Sequence, residues 1–159
     1  MTEQEIAIFE ETQKFSPRVQ AVLLASIGLA GLGAYLATRE APGAQIGIFA
    51  LVAAMALVVV MFTMMKLTTT VSGQGLRVKG MWFINRMIRF EYIESAAMRQ
   101  YKPIMEYGGW GYRIGPSGTA YNAQGNEGVQ LTLKDAKRVL IGSQRATELA
   151  SLVTARLRK

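Results

Sequence analysis

Residues 46–65, between Gln45 and Lys66, form an unbroken stretch of 20 residues without a charged side chain, rich in Val, Leu, Ile, Met and Ala. About 20 such residues is what a helix needs to cross the roughly 30 Å hydrocarbon layer of a bilayer. Only an internally hydrogen-bonded element hides its backbone polar groups there. The chain is therefore expected to be integral to a membrane, and any water-soluble domain must be built from what remains.

A second uncharged stretch, residues 19–37, carries Val22, Leu23, Leu24, Ile27, Leu29, Leu32 and Leu36. It is richer in small residues, but its length suits a tilted span. Between the two, residues 38–45 hold Pro42 and Gly43, which are expected to stop one helix and turn the chain toward the next. The result is a two-helix hairpin over residues 19–65. A cleaved signal peptide is the alternative for the first span, yet such a segment begins with basic residues, and Glu3, Glu5, Glu10 and Glu11 precede this one. Lys14 and Arg18 come before the first span, Lys66 follows the second, and Arg39 alone lies in the connection. Lys and Arg near spans stay on the cytoplasmic side. Both termini are therefore expected in the cytoplasm, and the location is the inner or plasma membrane.

Charge is unevenly divided. Residues 66–159 contain 15 Lys and Arg against 6 Asp and Glu, a net of +9, whereas residues 1–18 carry 4 acidic and 2 basic groups, a net of −2. A basic domain beside an anionic leaflet is attracted to it by about 1 kcal/mol per nearby cation. The same excess is also what the positive-inside bias alone would leave in a small membrane protein. Cysteine and histidine are both absent, which removes disulfides, thiol nucleophiles, Cys/His metal sites and the commonest neutral-pH base. No metal, cofactor or catalytic residue is expected.

Within residues 1–18, Thr2 with Glu5 reads as a capping box, and Ile6, Phe9 and Phe15 recur at roughly helical spacing. A short amphipathic helix on the membrane surface is expected there, or else a partly ordered tail. From Lys66 the pattern becomes alternating. Leu67, Thr69 and Val71 precede a tight turn at residues 72–75, after which Leu76 and Val78 alternate with Arg77 and Lys79, a hairpin with one charged face. Further strands are expected over 84–90 and 92–101, an irregular strand or bulge over 107–112, and loops at 116–118 and 122–126. Val129, Leu131 and Leu133 mark another strand, and Asp135, Ala136 and Lys137 turn it into a partner over 138–141. The chain closes with a helix capped by Ser143, placing Ala146, Leu149, Leu152, Val153 and Leu157 on one stripe. Strands followed by one amphipathic helix fit a small barrel or sandwich with one end plugged.

Three stretches carry a resemblance: Phe9-Glu10-Glu11-Thr12-Gln13-Lys14-Phe15, Gly108-Gly109-Trp110-Gly111-Tyr112-Arg113, and Gly128-Val129-Gln130-Leu131-Thr132-Leu133 leading to Ile141-Gly142-Ser143-Gln144-Arg145-Ala146-Thr147-Glu148-Leu149. Together they resemble small bacterial membrane proteins with two transmembrane helices and a C-terminal pleckstrin-homology-like (PH-like) domain. Members often have Pro where this chain has Ala146, a difference that bears on helix initiation. The resemblance implies a membrane helical hairpin plus a mostly-β cytosolic domain over 66–159. That domain would be a bent antiparallel sheet of about seven strands with a C-terminal capping helix. It carries over no catalytic or ligand residue. By similarity to phosphoinositide-binding PH domains, Lys66, Arg77, Lys79, Arg86 and Arg89 are the candidate lipid-headgroup contacts, although exposed hairpins are also basic merely for solubility.

The Gly108-Gly109-Trp110-Gly111 block lacks the Lys and Ser/Thr of a phosphate-binding loop. Its glycines are expected to let the sheet bend while Trp110 packs on the core or at the membrane interface. Glu91, Glu94 and Asp135 are not placed beside a nucleophile by any spacing, and no ionisable residue interrupts either span. The expected function is non-enzymatic: a basic PH-like domain presented at the cytoplasmic face for protein interaction or assembly, with an anionic-lipid sensor as the alternative. The expected partners are membrane lipids and a protein or second copy, not nucleic acid.

Overall fold

The computed structural model describes residues 7–80 and 83–158. Thr2, Glu5 and Ile6 lie outside them. Two units result: the hairpin, and a domain made of the strand before it together with everything from Lys66 onward.

In the hairpin, α1 spans Pro17–Ala37 and α2 spans Pro42–Met64. Both start earlier than the apolar pattern alone indicates. Proline does not stop a helix here but opens it, since the first turn has no use for the missing N–H and the fixed φ is already helical. At Gly31 the two helices approach closely, since a Cβ there would stand 2.8 Å from Val52 Cγ2. The Tyr35 and Phe49 rings lie beside it at 5.9 Å. Gly28 and Gly33 have nothing within 4 Å. α1 buries none of its residues, and Leu29 (71%) and Ile46 (74%) are largely exposed. Both helices are long and apolar enough to cross a membrane.

The other unit begins with β1, Phe9–Lys14, a six-residue strand where a surface helix was expected. It pairs antiparallel with β2 (Lys66–Val71) over its whole length, from Phe9 opposite Val71 to Lys14 opposite Lys66. Phe9, Glu11 and Gln13 face inward, while Glu10, Thr12 and Lys14 are exposed. The hairpin is thus the connection between two neighbouring strands, and the domain is not confined to 66–159. β3 (Gly75–Gly80) and β4 (Ile84–Arg89) extend this meander into a four-stranded sheet, β1-β2-β3-β4.

A 3-10 turn at Phe90–Tyr92 leads into the second sheet, ordered β5-β8-β9-β7-β6. Its strands are β5 (Ile93–Gln100), β6 (Gly111–Gly115), β7 (Gly118–Asn122), β8 (Glu127–Leu133) and β9 (Arg138–Gly142). Among the described residues, eight strands fall within 66–159 where about seven were expected and β1 adds a ninth from before the hairpin; the architecture is not wholly antiparallel, since β7 runs parallel to β9. Leu76, Val78, Val129, Leu131, Leu140 and Ile141 are essentially fully buried. Helix α4, Ala146–Leu157, packs on β5 and β8 through Ala146, Leu149, Ala150 and Val153.

The glycine-rich block does not bend a strand. Pro103–Tyr107 is a one-turn helix, α3, and Gly108 terminates it in the left-handed region (φ 70°), its N–H bonding back to Ile104 and Pro103 carbonyls. Trp110 then donates to the Gly125 carbonyl at 2.8 Å. Glu106 holds the start of α3: Lys102 N–H donates to its Oε1 at 2.7 Å, and Arg99 pairs with the same carboxylate. The Lys102 amide, then Arg99, keeps the Glu106 carboxyl below the usual carboxylate range. A lowered carboxyl stabilises the fold above its unfolded pKa and loses that contribution as pH falls. Protection of the Glu106 and Gly108 amides, taken relative to their intrinsic exchange rates, is therefore expected to fall below about pH 4, ahead of that of the β8–β9 ladder.

Asn122 is fully buried; its Oδ1 accepts from Gly111 N–H at 2.9 Å and its Nδ2 donates to Tyr101 OH at 2.9 Å. Asn122→Ala leaves both partners unpaired, so a loss of roughly 2–4 kcal/mol is expected in a chemical denaturation curve.

Candidate binding face and cavity

Strand pairing sorts the basic residues. Because side chains alternate, residues directly opposite one another share a face. Thr70 pairs with Arg77 and Thr68 with Lys79, while Lys14 stands opposite Lys66. Arg89 is opposite Gly75, two positions along from Arg77. Lys14, Lys66, Arg77, Lys79 and Arg89 therefore share the outward face of the first sheet, and all are exposed. Arg89 is engaged by Glu91 at 3.2 Å, but both side chains are more than half exposed and such a pair contributes little. Lys14 opposite Lys66 is an unfavourable like-charge pair, which an external anion would relieve.

Arg86 is not part of this face. Its partner is Val78, and Ile88 and Ile84 lie at the same parity, so Arg86 stands on the core-facing side of β4. The expected five-residue cluster is thus four residues plus one. Lys14 completes the face and was missed, because residues 1–18 read as a surface helix or a partly ordered tail and two of the three inward positions of β1, Glu11 and Gln13, are polar.

β4 and β6 are edges of different sheets, with no ladder joining them. Between them lies a cavity of about 880 Å³. From the first sheet it is lined by Ile84, Arg86 and Ile88 of β4, and from the second by Tyr112, Tyr121, Arg138 and Val139; Leu133, Lys134, Asp135, Lys137 and Tyr92 also line it. Tyr112 and Tyr121 rings are 5.3 Å apart. Burial pushes the Tyr121 phenol pKa up, Tyr112 acts in the same direction, and the Arg86 charge acts in the opposite one. Asp135 is the one carboxylate in the lining, and Lys137 Nζ holds it at 2.7 Å. That hydrogen bond keeps the Asp135 carboxyl below its ordinary value. No described carboxylate forms an ion pair with Arg86 or Arg138. Chemically, this lining offers guanidinium and phenol donors over an apolar floor.

A third cluster joins the first strand to the last helix. Glu11, nine-tenths buried, accepts from Ser143 Oγ (2.5 Å), Gln144 N–H (2.7 Å) and Gln13 Nε2 (3.1 Å). Gln13 Nε2 also donates to the Gly142 carbonyl at 2.8 Å. The Arg145 guanidinium lies 4.6 Å from the centre of the Phe9 ring. Ser143 is not the cap residue of α4; it accepts from Arg145 N–H at 2.9 Å just before the helix and donates its own O–H to Glu11 Oε2. Two of the stretches singled out in the sequence, 9–15 and 141–149, are therefore in contact.

Glu94 and Glu91 stand apart from this cluster, and among the described residues no three Asp or Glu side chains gather as a metal site. The chain matches no protein-family model and no curated protein.

Proposed function

We propose that this chain is a non-enzymatic membrane anchor carrying a PH-like module on the cytoplasmic face of the bacterial plasma membrane, where the module serves protein interaction or assembly. The observation that carries the reading is an apolar ridge at the rim of the second sheet. β6 is its edge strand, and Ile114 (75% exposed) stands on it; α3 packs beside β6 with Ile104 (66%) and Met105 (82%) bare. An open edge beside unpaired apolar side chains is a surface for strand addition by a partner. Orientation is supported by Lys14, Arg18 and Lys66 flanking the hairpin against Arg39 alone in its connection. Signal cleavage is disfavoured because it would remove β1 from the first sheet.

A second reading, an anionic-headgroup sensor, is favoured by the like-charged Lys14 and Lys66 within three residues of the helix ends. The chain has no cysteine, so single-cysteine variants of the full protein separate the two. For the platform, Ile114→Cys in native membranes is expected to cross-link to a neighbouring protein, with no loss at high salt; absence of any adduct at Ile104, Met105 or Ile114 removes it. For the sensor, Thr70→Cys on the basic face of nanodisc-embedded protein is expected to react with a charged maleimide roughly tenfold more slowly when anionic lipid is present, recovering at high salt. Equal rates in zwitterionic and anionic lipid remove the sensor.

A further inference from the structure

We propose that the cavity between β4 and the β6–β7 side of the second sheet binds a small amphipathic anion, a carboxylate or phosphate monoester carried on an aromatic or branched apolar body. Arg86 occupies a position that alternation reserves for an apolar side chain, with Val78 opposite and Ile84 and Ile88 on either side, all three buried. Arg86 is itself exposed, so its charge stays hydrated without a burial cost and is open to whatever anion pairs with it. None of the described carboxylates does, and the lining's single one, Asp135, is taken by Lys137. Arg138 comes from the other sheet to line the same cavity, again with no described carboxylate as partner. Two guanidinium groups held by two separate sheets offer the planar forks that match carboxylate or phosphate oxygens.

The rest of the lining fixes the ligand class. Ile84 and Ile88 line the cavity together with the Tyr112 and Tyr121 rings, which are tilted 39° to one another, so the anion is expected to carry an apolar body rather than stand alone. The volume, about 880 Å³, falls within the roughly 300–1,000 Å³ of small-molecule sites. This site is distinct from the outward basic face, which lies on the opposite side of the same sheet, and from the apolar ridge of the platform reading.

The test uses the full chain in nanodiscs of zwitterionic lipid and phenyl phosphate as the probe, followed by calorimetric titration. Saturable binding is expected in the wild type. Arg86→Gln and Arg138→Gln are each expected to weaken it about tenfold or more, since each removes a charged hydrogen-bond donor. Arg86→Lys, which keeps the charge and loses the fork, is expected to fall between; Arg113→Gln, exposed on β6 but not part of the cavity lining, is expected to leave binding within about twofold. Both cavity arginines are solvent-exposed, and thermal melting of each variant checks that the fold persists. Adding anionic phospholipid at fixed ionic strength identifies the source: displacement of the probe assigns the site to a lipid headgroup, retention to a soluble anion. The proposal is overturned if phenyl phosphate does not saturate, if inorganic phosphate binds as tightly, or if Arg113→Gln weakens binding as much as Arg86→Gln.

Discussion

A version of the chain in which residues 15–65 are replaced by an Asn-Gly turn is expected to be a soluble, folded monomer, whereas residues 66–159 alone are expected to aggregate. The reason is the register of β1 on β2. Lys14 and Lys66 are direct partners, and such pairs have Cα atoms about 4.5–5.5 Å apart, a gap that a two-residue turn closes. Starting at Lys66 removes Phe9, which is 3% exposed and contributes roughly 2 kcal/mol by burial. It also removes Glu11 and Gln13 with the hydrogen bonds they make to residues 142–144, about 1–3 kcal/mol each. The sum, on the order of 5 kcal/mol or more, is comparable to the whole stability of a domain this size. Leu67, Thr69 and Val71 would then lie on an unprotected edge. Size-exclusion chromatography and circular dichroism of the two proteins decide the matter; a folded, monomeric 66–159 would remove β1 from the domain.

Legibility in the sequence followed the physical strength of each signal. The two long helices were visible because each is an extended, uncharged and apolar stretch, and the β2–β3 hairpin because Leu67, Val71, Leu76 and Val78 alternate with polar residues around a tight turn. β1 escaped because two of its three inward positions are Glu11 and Gln13, so its alternation carries no hydrophobic pattern. Those polar residues face inward to meet residues 142–144, a contact 130 positions away in the chain that no local window contains. α3, β6 and β7 are five residues each, shorter than periodicity can register, although Pro103 at the start and Gly108 at the end do frame α3. Arg86 was grouped with the wrong face although Ile84 and Ile88, two positions to either side, share its parity, whereas Arg89, three positions on, falls on the other face. The cavity is a property of two strand edges that fail to join, and nothing in either strand alone announces it.

Glu11→Ala is expected to destabilise the domain by about 3 kcal/mol, with Glu11→Gln between it and the wild type. The carboxylate gathers one hydroxyl, one backbone N–H and one amide N–H, all donors, at a site where water does not compete. Alanine leaves the Ser143 hydroxyl and the Gln144 N–H buried without an acceptor, and an unpaired buried polar group costs about 1–3 kcal/mol. Glutamine restores one acceptor oxygen but turns an amide donor toward groups that are themselves donors, so only part of the loss is recovered. Ser143→Ala alone is expected to cost less, because Glu11 keeps two of its three partners. The double variant Glu11→Ala with Ser143→Ala is then expected to be less than additive, with a coupling on the order of 1 kcal/mol or more, since one interaction cannot be lost twice. Denaturation midpoints of the hairpin-free protein measure all four corners of this cycle. Strict additivity, or a Glu11→Ala loss under about 0.5 kcal/mol, would mean that the first strand is held by Phe9 and its ladder alone, and that the contact between residues 9–15 and 141–149 adds no stability of its own.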